Sequence, residues 1–253
     1  MTDWDGLSTD MNFVGLANYQ RILVEDRQLL VPLVNSIYYF AGALIQLALA
    51  TYFAVILNRG LPGSNTFRII LFLPFVLNSV AVSIVFRDFL QIDGGLDALM
   101  TLLGLGAYTR EWVQDPEIAK WSLVFASVWR YMGFQLLITY GALQAVPQDQ
   151  YEAARIEGAS DWQQFRYITL PTIAPVLGLQ IILATVGSLE VFDVPFLITN
   201  GANGTKTFVM ATLEEAFNYR RVGLASAMAV LLLCFVFLVI ILQRMIFERE
   251  DRA

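Results

Sequence analysis

Five stretches of this chain, Gln28–Asn58, Ile69–Phe86, Tyr131–Gln148, Tyr167–Leu189 and Val222–Gln243, contain no Asp, Glu, Lys or Arg, and each is about long enough to cross a bilayer. In hydrocarbon every backbone N–H and C=O must be bonded within its own segment, so runs of this kind become helices. Spans are expected near 31–57, 67–90, 118–144, 172–198 and 223–246, the third interrupted in its first half by Lys120 and Arg130. The expected fold class is an all-α polytopic membrane protein with about five transmembrane helices. Charge agrees: 15% of the 253 residues are charged, where soluble domains carry about 25%.

The same composition excludes several functions. Lys and Arg number 16 against 22 Asp and Glu, with no basic run, which leaves no footprint for nucleic acid. There is no histidine, and Cys234, in an apolar run, is the only cysteine. Zinc ligation, His-dependent catalysis and a disulfide framework are therefore not expected. Topology is not readable from charge. Loops 58–68, 143–171 and 244–253 hold seven Lys or Arg, and 1–30, 87–120 and 199–221 hold eight. Acidic residues divide seven against thirteen over the same two sets, a weak hint. Residues 1–27 lack the basic start and apolar core of a signal peptide and read as the polar exit of something else.

One loop has a pattern that a simple connector does not need. Gln150–Glu157 is a run of good helix formers that meets Gly158, a stop and a turn. Ser160 with Gln163 forms a capping box for a second short helix, and Asp161 suits its first turn. Trp162, Phe165 and Ile168 follow at helical spacing, and Leu170-Pro171 is expected to end the helix as the next span begins. A helical pair too short to be stable alone, displaying aromatic rings beside a membrane, fits a surface gripped by a partner. It fits equally an amphipathic helix lying on lipid headgroups.

The residues Glu152-Ala153-Ala154-Arg155-Ile156-Glu157-Gly158-Ala159, followed by Phe165, Ile168 and Leu170-Pro171, resemble the EAA loop of binding-protein-dependent ABC importer permeases. Asn12 to Tyr19 resembles the FVGLxNY segment of the maltose-type sugar permeases, and Leu71 to Pro74 and Val128-Trp129-Arg130 recur there in similar places. The resemblance implies a carbohydrate ABC importer permease, multi-pass in a bacterial or archaeal plasma membrane. Implied partners are a second permease, two ATPase subunits, an external solute-binding protein and a sugar. The chain itself would be non-catalytic and without a cofactor, ATP and Mg²⁺ being used by the ATPase. Residues 147–171 would be a cytoplasmic coupling loop, with Glu152, Ala153, Ala154, Gly158, Trp162 and Phe165 on the coupling surface. Residues 1–30 would be an external segment, 31–246 the permease domain and 247–253 a cytoplasmic tail. Maltose-type permeases generally begin with a cytoplasmic N-terminus and one further span. That helix is absent from this sequence, either because it is read from an internal Met, the favoured explanation, or because the chain works with five spans.

Candidates for a substrate path are the polar groups inside the expected spans. Glu190 and Asp193 share one face of the fourth span, and a carboxylate in mid-bilayer costs ~2.5–3.5 kcal/mol, which implies a hydrated or paired position. They are either hydroxyl acceptors for a sugar or structural, for example paired to Arg130. Pro195 just beyond is consistent with a kink. Asn78 and Ser83 beside Pro74, and Gln135, complete the set; Gln46 is similar but is readable as packing. Gly201-Ala202-Asn203-Gly204-Thr205-Lys206-Thr207 imitates a phosphate-binding loop, but Thr205 separates the last glycine from the lysine. That loop is either a contact for an external binding protein or a solvated turn. Gly223, Ala225 and Ala227 permit close packing, within the chain or against a second permease. A secondary transporter or channel is the alternative function, although it would not need the 147–171 loop. A membrane-embedded enzyme lacks a nucleophile–base pair.

Overall fold

The computed structural model describes residues 2–9 and 11–250, with the backbone alone for 246–250. The helices are α1 Ala17–Gln20, α2 Asn35–Leu57, α3 Ser64–Val76, α4 Ser79–Phe89, α5 Gly95–Leu102, α6 Pro116–Leu143, α7 Gln148–Ile156, α8 Asp161–Gln164, α9 Leu170–Leu189, α10 Asp193–Thr199, α11 Phe208–Leu213 and α12 Val222–Glu250. Among the described residues the only β pairing is an isolated bridge between Thr2 and Phe13. Of the tail expected at 247–253, residues 251–253 lie outside the described residues, as do Met1 and Asp10 of the expected external segment.

Among the described residues, three helical stretches are long and apolar enough to span a bilayer, Arg27–Leu57, Asp161–Thr199 and Val222–Met245, and the pair Ser64–Val76 and Ser79–Phe89 qualifies as a fourth if counted as one span. In place of one helix at 67–90 the chain forms two, broken at Leu77 and Asn78 close to Pro74. Pro74, buried in α3, withholds an N–H and crowds the carbonyl of Ile70, and Leu77 then turns extended at φ −67° and ψ 145°. The expected third span is one continuous 28-residue helix, α6. It does not meet the same apolar standard, since Glu117, Lys120, Arg130 and Gln135 dilute it. Five spans are thus not established, whereas a mainly helical chain with three or four is.

The fold divides into two compact units. The first comprises Met1–Ala41, Ser79–Ala126 and Thr185–Ala253. Its core gathers Ile22, Phe208 and Ala211 against Leu224, Ala227 and Met228 of α12. An N-terminal turn lies over the start of α12: the Gly223 amide donates to the Trp4 carbonyl at 3.0 Å, and a Cβ on Gly223 would stand 1.9 Å from the Thr2 oxygen. Gly223, Ala225 and Ala227 therefore serve packing within this unit. Amide hydrogen bonds from Ser8 and Leu7 hold the exposed Asp5 carboxyl down to about 2, so this staple persists above about pH 4 and is lost only as the pH falls further. In the same unit α4 packs against α10.

The second unit comprises Gly42–Asn78 and Ser127–Ala184. Ala50, Ala54 and Leu57 lie on one stripe of α2 and meet Leu136 and Leu143 of α6 and Ile173 of α9. Phe75 of α3 stacks on Phe134 of α6 at 4.6 Å, and the Arg68 guanidinium lies 4.1 Å from the centre of the Tyr140 ring. These contacts bring the two backbones together at Gly133, where a side chain would strike Leu71.

Candidate functional site

Two regions collect the residues singled out in the sequence. The first, in the second unit, is the corner between α7 and α8. α7 ends as a glycine-capped helix should: Gly158 takes φ +82°, its amide donates to the Arg155 carbonyl at 3.1 Å, and the Ala159 amide donates to the Ala154 carbonyl at 2.9 Å. The Ser160 hydroxyl accepts from the Gln163 amide at 3.3 Å, while the Gln163 carboxamide oxygen accepts from the Ser160 amide at 2.7 Å, completing a capping box. The expected stop at Leu170-Pro171 does not occur. α8 passes through a π-helical turn, Phe165–Thr169, straight into α9, the Leu170 amide reaching back to the Phe165 carbonyl. The wide turn accommodates Pro171, whose nitrogen has no hydrogen to continue an ordinary α ladder.

Glu152, Ala153 and Gly158 are exposed, Ala154 and Phe165 are half-buried, and Trp162 is 69% exposed with its ring 5.6 Å from that of Phe165. The sequence carried no signal for what holds this corner. The Tyr151 and Thr169 hydroxyls meet at 2.8 Å, and buried Gln164 donates to the Ala159 carbonyl at 3.0 Å. An Arg59 N–H, from the turn after α2, donates to the Asp161 carboxylate at 2.9 Å, and the Gln144 carboxamide donates to Asn58. Arg59, Gln148, Tyr151, Arg155 and Asp161 line a cleft of about 300 Å³ beneath these ties.

The second region lies at two helix breaks. Glu190 and Asp193 lie within the Asp161–Thr199 stretch but do not share one helix: α9 ends at Leu189 and α10 begins at Asp193, leaving Glu190 exposed at the break and Asp193 half-buried in a first turn. Pro195 falls in that first turn, where its missing N–H costs nothing because the early amides of a helix have no internal partner. Ser83 on α4, the helix that packs on α10, is 1% exposed, and its hydroxyl has no hydrogen-bond partner among the described residues. The first unit thus places Ser83 and Asp193 on two short helices that each follow a break, with Glu190 in the second break. Unwound backbone at membrane depth is tolerated only where protein buries it or water lines it. Asn78, exposed at the α3–α4 bend, and Gln135 belong to the second unit. There Gln135 lies one turn before Thr139, which accepts from the carboxamide of Gln180 on α9 at 3.0 Å. Gln135 and Gln180 are buried, and their carboxamide oxygens lack partners among the described residues. Gln46 is buried as well.

The 199–207 loop is neither a phosphate cradle nor a loose turn. Asn35, which opens α2, donates to the carbonyls of Gly204 and Lys206 at 2.8 and 2.7 Å, Asn203 donates to Val113, and Thr207 donates to Val191. Asn200, Gly201, Asn203 and Gly204 all take positive φ, and Lys206 is paired with Glu214 at 2.6 Å.

The family model described as the binding-protein-dependent transport system inner membrane component matches residues 46–252. Among similar proteins, the probable ABC transporter permease protein YesP of Bacillus subtilis (strain 168) is 33% identical over 244 residues, covering 94% of this chain and 78% of that protein. The trehalose/maltose transport system permease protein MalF of Thermococcus litoralis is 33% identical over 240 residues, covering 91% of this chain and 80% of its own. Among solved structures, a bacterial ABC transporter involved in the import of the acidic polysaccharide alginate superposes with a TM-score of 0.80 at 18% identity, over 94% of this chain and 84% of that one. That last likeness is one of fold. With the family model covering most of its length, the chain belongs to the inner-membrane permease components of binding-protein-dependent ABC transport systems.

Proposed function

We propose that this chain is one permease subunit of an ATP-driven importer that carries a sugar, a di- or oligosaccharide, across the plasma membrane of a bacterium or archaeon. A second permease, two ATPase subunits that use ATP and Mg²⁺, and an external solute-binding protein complete the machine. The observation that carries this reading is the α7–Gly158–α8 corner, which presents Trp162 to the outside while Gln164, Thr169 and Tyr151 tie it to a span. An exposed ring on a helical pair too short to stand alone supports a surface held by a partner. The sugar assignment is supported by the naming of the Thermococcus litoralis relative as a trehalose/maltose system permease.

In this reading 1–30, 87–120 and 199–221 face outward, and 58–68, 147–171 and 247–253 face the cytoplasm. Closure of the ATPases moves Glu152, Ala153, Ala154, Gly158, Trp162 and Phe165 as a rigid corner, and the movement reaches the spans through α9, which is continuous with that corner. Asn78, Ser83, Gln135, Glu190 and Asp193 supply polar groups to the path. Mass spectrometry of what co-purifies with a tagged copy in mild detergent tests the reading. An ATPase and a second permease should be recovered; recovery of the chain alone, transporting without ATP, would overturn it in favour of an ion-driven transporter.

The Arg59–Asp161 pair gives a separate test of how the corner is held. Both side chains are more than half exposed, so the pair adds at most ~1 kcal/mol to stability. Its effect is on geometry, because it fixes the first turn of α8 to the end of α2. Arg59→Asp is expected to leave thermal stability within about 2 °C of wild type while lowering sugar moved per ATP by about threefold. Combining it with Asp161→Arg should restore the ratio. A double variant as uncoupled as the single one would remove the pair from the mechanism.

A further inference from the structure

The first unit holds a cup of about 310 Å³ that none of the residues discussed for the path or the corner forms. Its apolar side is the pair Phe192 and Phe196, stacked at 4.8 Å and 19°, with Phe196 43% exposed, and Phe217, 74% exposed, contributes a further ring. Its polar side is the Lys206–Glu214 ion pair at 2.6 Å, with the Asn200 carboxamide beside it. The frame is fixed in advance by the four side-chain bonds that pin the 199–207 loop to Asn35, Val113 and Val191.

Aromatic faces at a membrane edge are ordinarily explained by lipid, and a surface ion pair by solvation. Neither explains the two meeting around one concave space on a rigid loop. The Lys206 ammonium has three donors, one of them given to Glu214 Oε2, and the Glu214 carboxylate has a second oxygen able to accept. A ligand whose hydroxyls both donate and accept can bridge the two, while its C–H face lies on a ring. The pair is electrically neutral as a unit, so an anionic ligand gains nothing from Lys206 that Glu214 does not cancel. The volume falls at the small end of the ~300–1,000 Å³ range of small-molecule pockets, room for one or two rings.

We infer that this cup is a binding subsite for a neutral pyranose, taken up on the Phe196 and Phe217 faces and oriented by Lys206 and Glu214. The inference rests on the sugar-importer reading and sharpens it: the subsite selects uncharged sugars and disfavours uronates. Preorganisation by the pinned loop lets so small a contact bind without first ordering its own walls.

The test uses the complete transporter, solubilised with its partner subunits, and saturation-transfer NMR with maltose, trehalose and methyl glucoside as probes and galacturonic acid as the charged comparison. Signal is expected from the ring C–H protons of the neutral sugars and little from the uronate. Phe196→Ala and Phe217→Ala should each weaken the neutral probes by about fivefold, and Lys206→Met should reduce discrimination by hydroxyl pattern. Phe217 is 74% exposed, so its truncation removes little packing, and recovery of the assembled complex by size-exclusion chromatography certifies that variant as folded. Equal signal from galacturonic acid, no signal from any neutral probe, or titrations untouched by both Phe variants would overturn the subsite. Loss of binding-protein stimulation in the Phe variants with sugar contact unchanged would assign the cup to a protein partner and overturn it too. The titration needs no turnover. Failed ATP-driven sugar uptake by the wild-type complex would therefore strike the importer reading alone, while normal uptake with an empty cup would strike the subsite alone.

Discussion

Gly133→Ala is expected to destabilise the protein by ~3 kcal/mol, and Gly133→Val to prevent a stable fold. A Cβ on Gly133 would stand 2.0 Å from the Leu71 oxygen, 2.5 Å from its carbonyl carbon and 2.6 Å from the Phe72 Cα. All three are backbone atoms of α3, so no side chain can swing away to make room. Relief requires α3 to move off α6 by roughly an ångström or more, which would open the Phe75–Phe134 stack and lift Arg68 from Tyr140. Without a hydrophobic drive between helices in lipid, such close packing is the main attraction available, and its loss is not made good elsewhere. Gly141, on the same helix, has nothing within 4 Å of the added atom. Gly141→Ala should therefore be neutral or stabilising by up to ~1 kcal/mol, from helix propensity alone. Thermal unfolding of the two alanine variants in one detergent decides the matter; equal stabilities would mean that the backbones do not meet at Gly133.

Gly158→Val is expected to reduce sugar uptake and binding-protein-stimulated ATP hydrolysis by at least about tenfold while the complex still assembles. Space is not the obstacle, since nothing lies within 4 Å of a Cβ there. The cost comes from φ +82°, a region where a side chain loses ~1–2 kcal/mol and a β-branched one more. The chain would relieve that strain by abandoning the bonds from the Gly158 and Ala159 amides, shifting α7 relative to α8 and with it the partner surface. Asn tolerates the left-handed region, so Gly158→Asn should keep most of the activity. This pair of variants separates backbone conformation from bulk: if Val and Asn behave alike, or if Val couples normally, the corner is not held by the conformation of residue 158.

Short-range signals in the sequence correspond to local structure. The capping box at Ser160 and Gln163, the glycine stop at 158 and the span entered near Gln28 each depend on residues within a few positions of one another, and each is present in the structure. The site was only half legible. The corner carries its own motif, whereas Arg59 and Asp161, which fix it, are 102 residues apart and individually unremarkable. Glu190 and Asp193 drew attention as carboxylates in an apolar run, but their three-residue spacing suggested a shared helical face where the structure has a break. Charge-free length reports the free energy of transfer into lipid and is blind to whether the segment stays wound; the break at Leu77 lies inside the run Ile69–Phe86, and the gap at 190–192 falls just past the run that ends at Leu189.

The sequence by itself determined that the chain would be helical and membrane-embedded and that residues 147–171 would turn a helical corner at Gly158. Those conclusions rest on composition, on hydrocarbon solvation and on hydrogen bonds closed within a turn or two. The tertiary structure alone decided that Gly133 is a backbone contact and Gly141 is not, that the 199–207 loop is pinned and not loose, and that Phe192, Phe196, Lys206 and Glu214 enclose one cup. Each of those depends on groups whose separation along the chain says nothing about their distance in space.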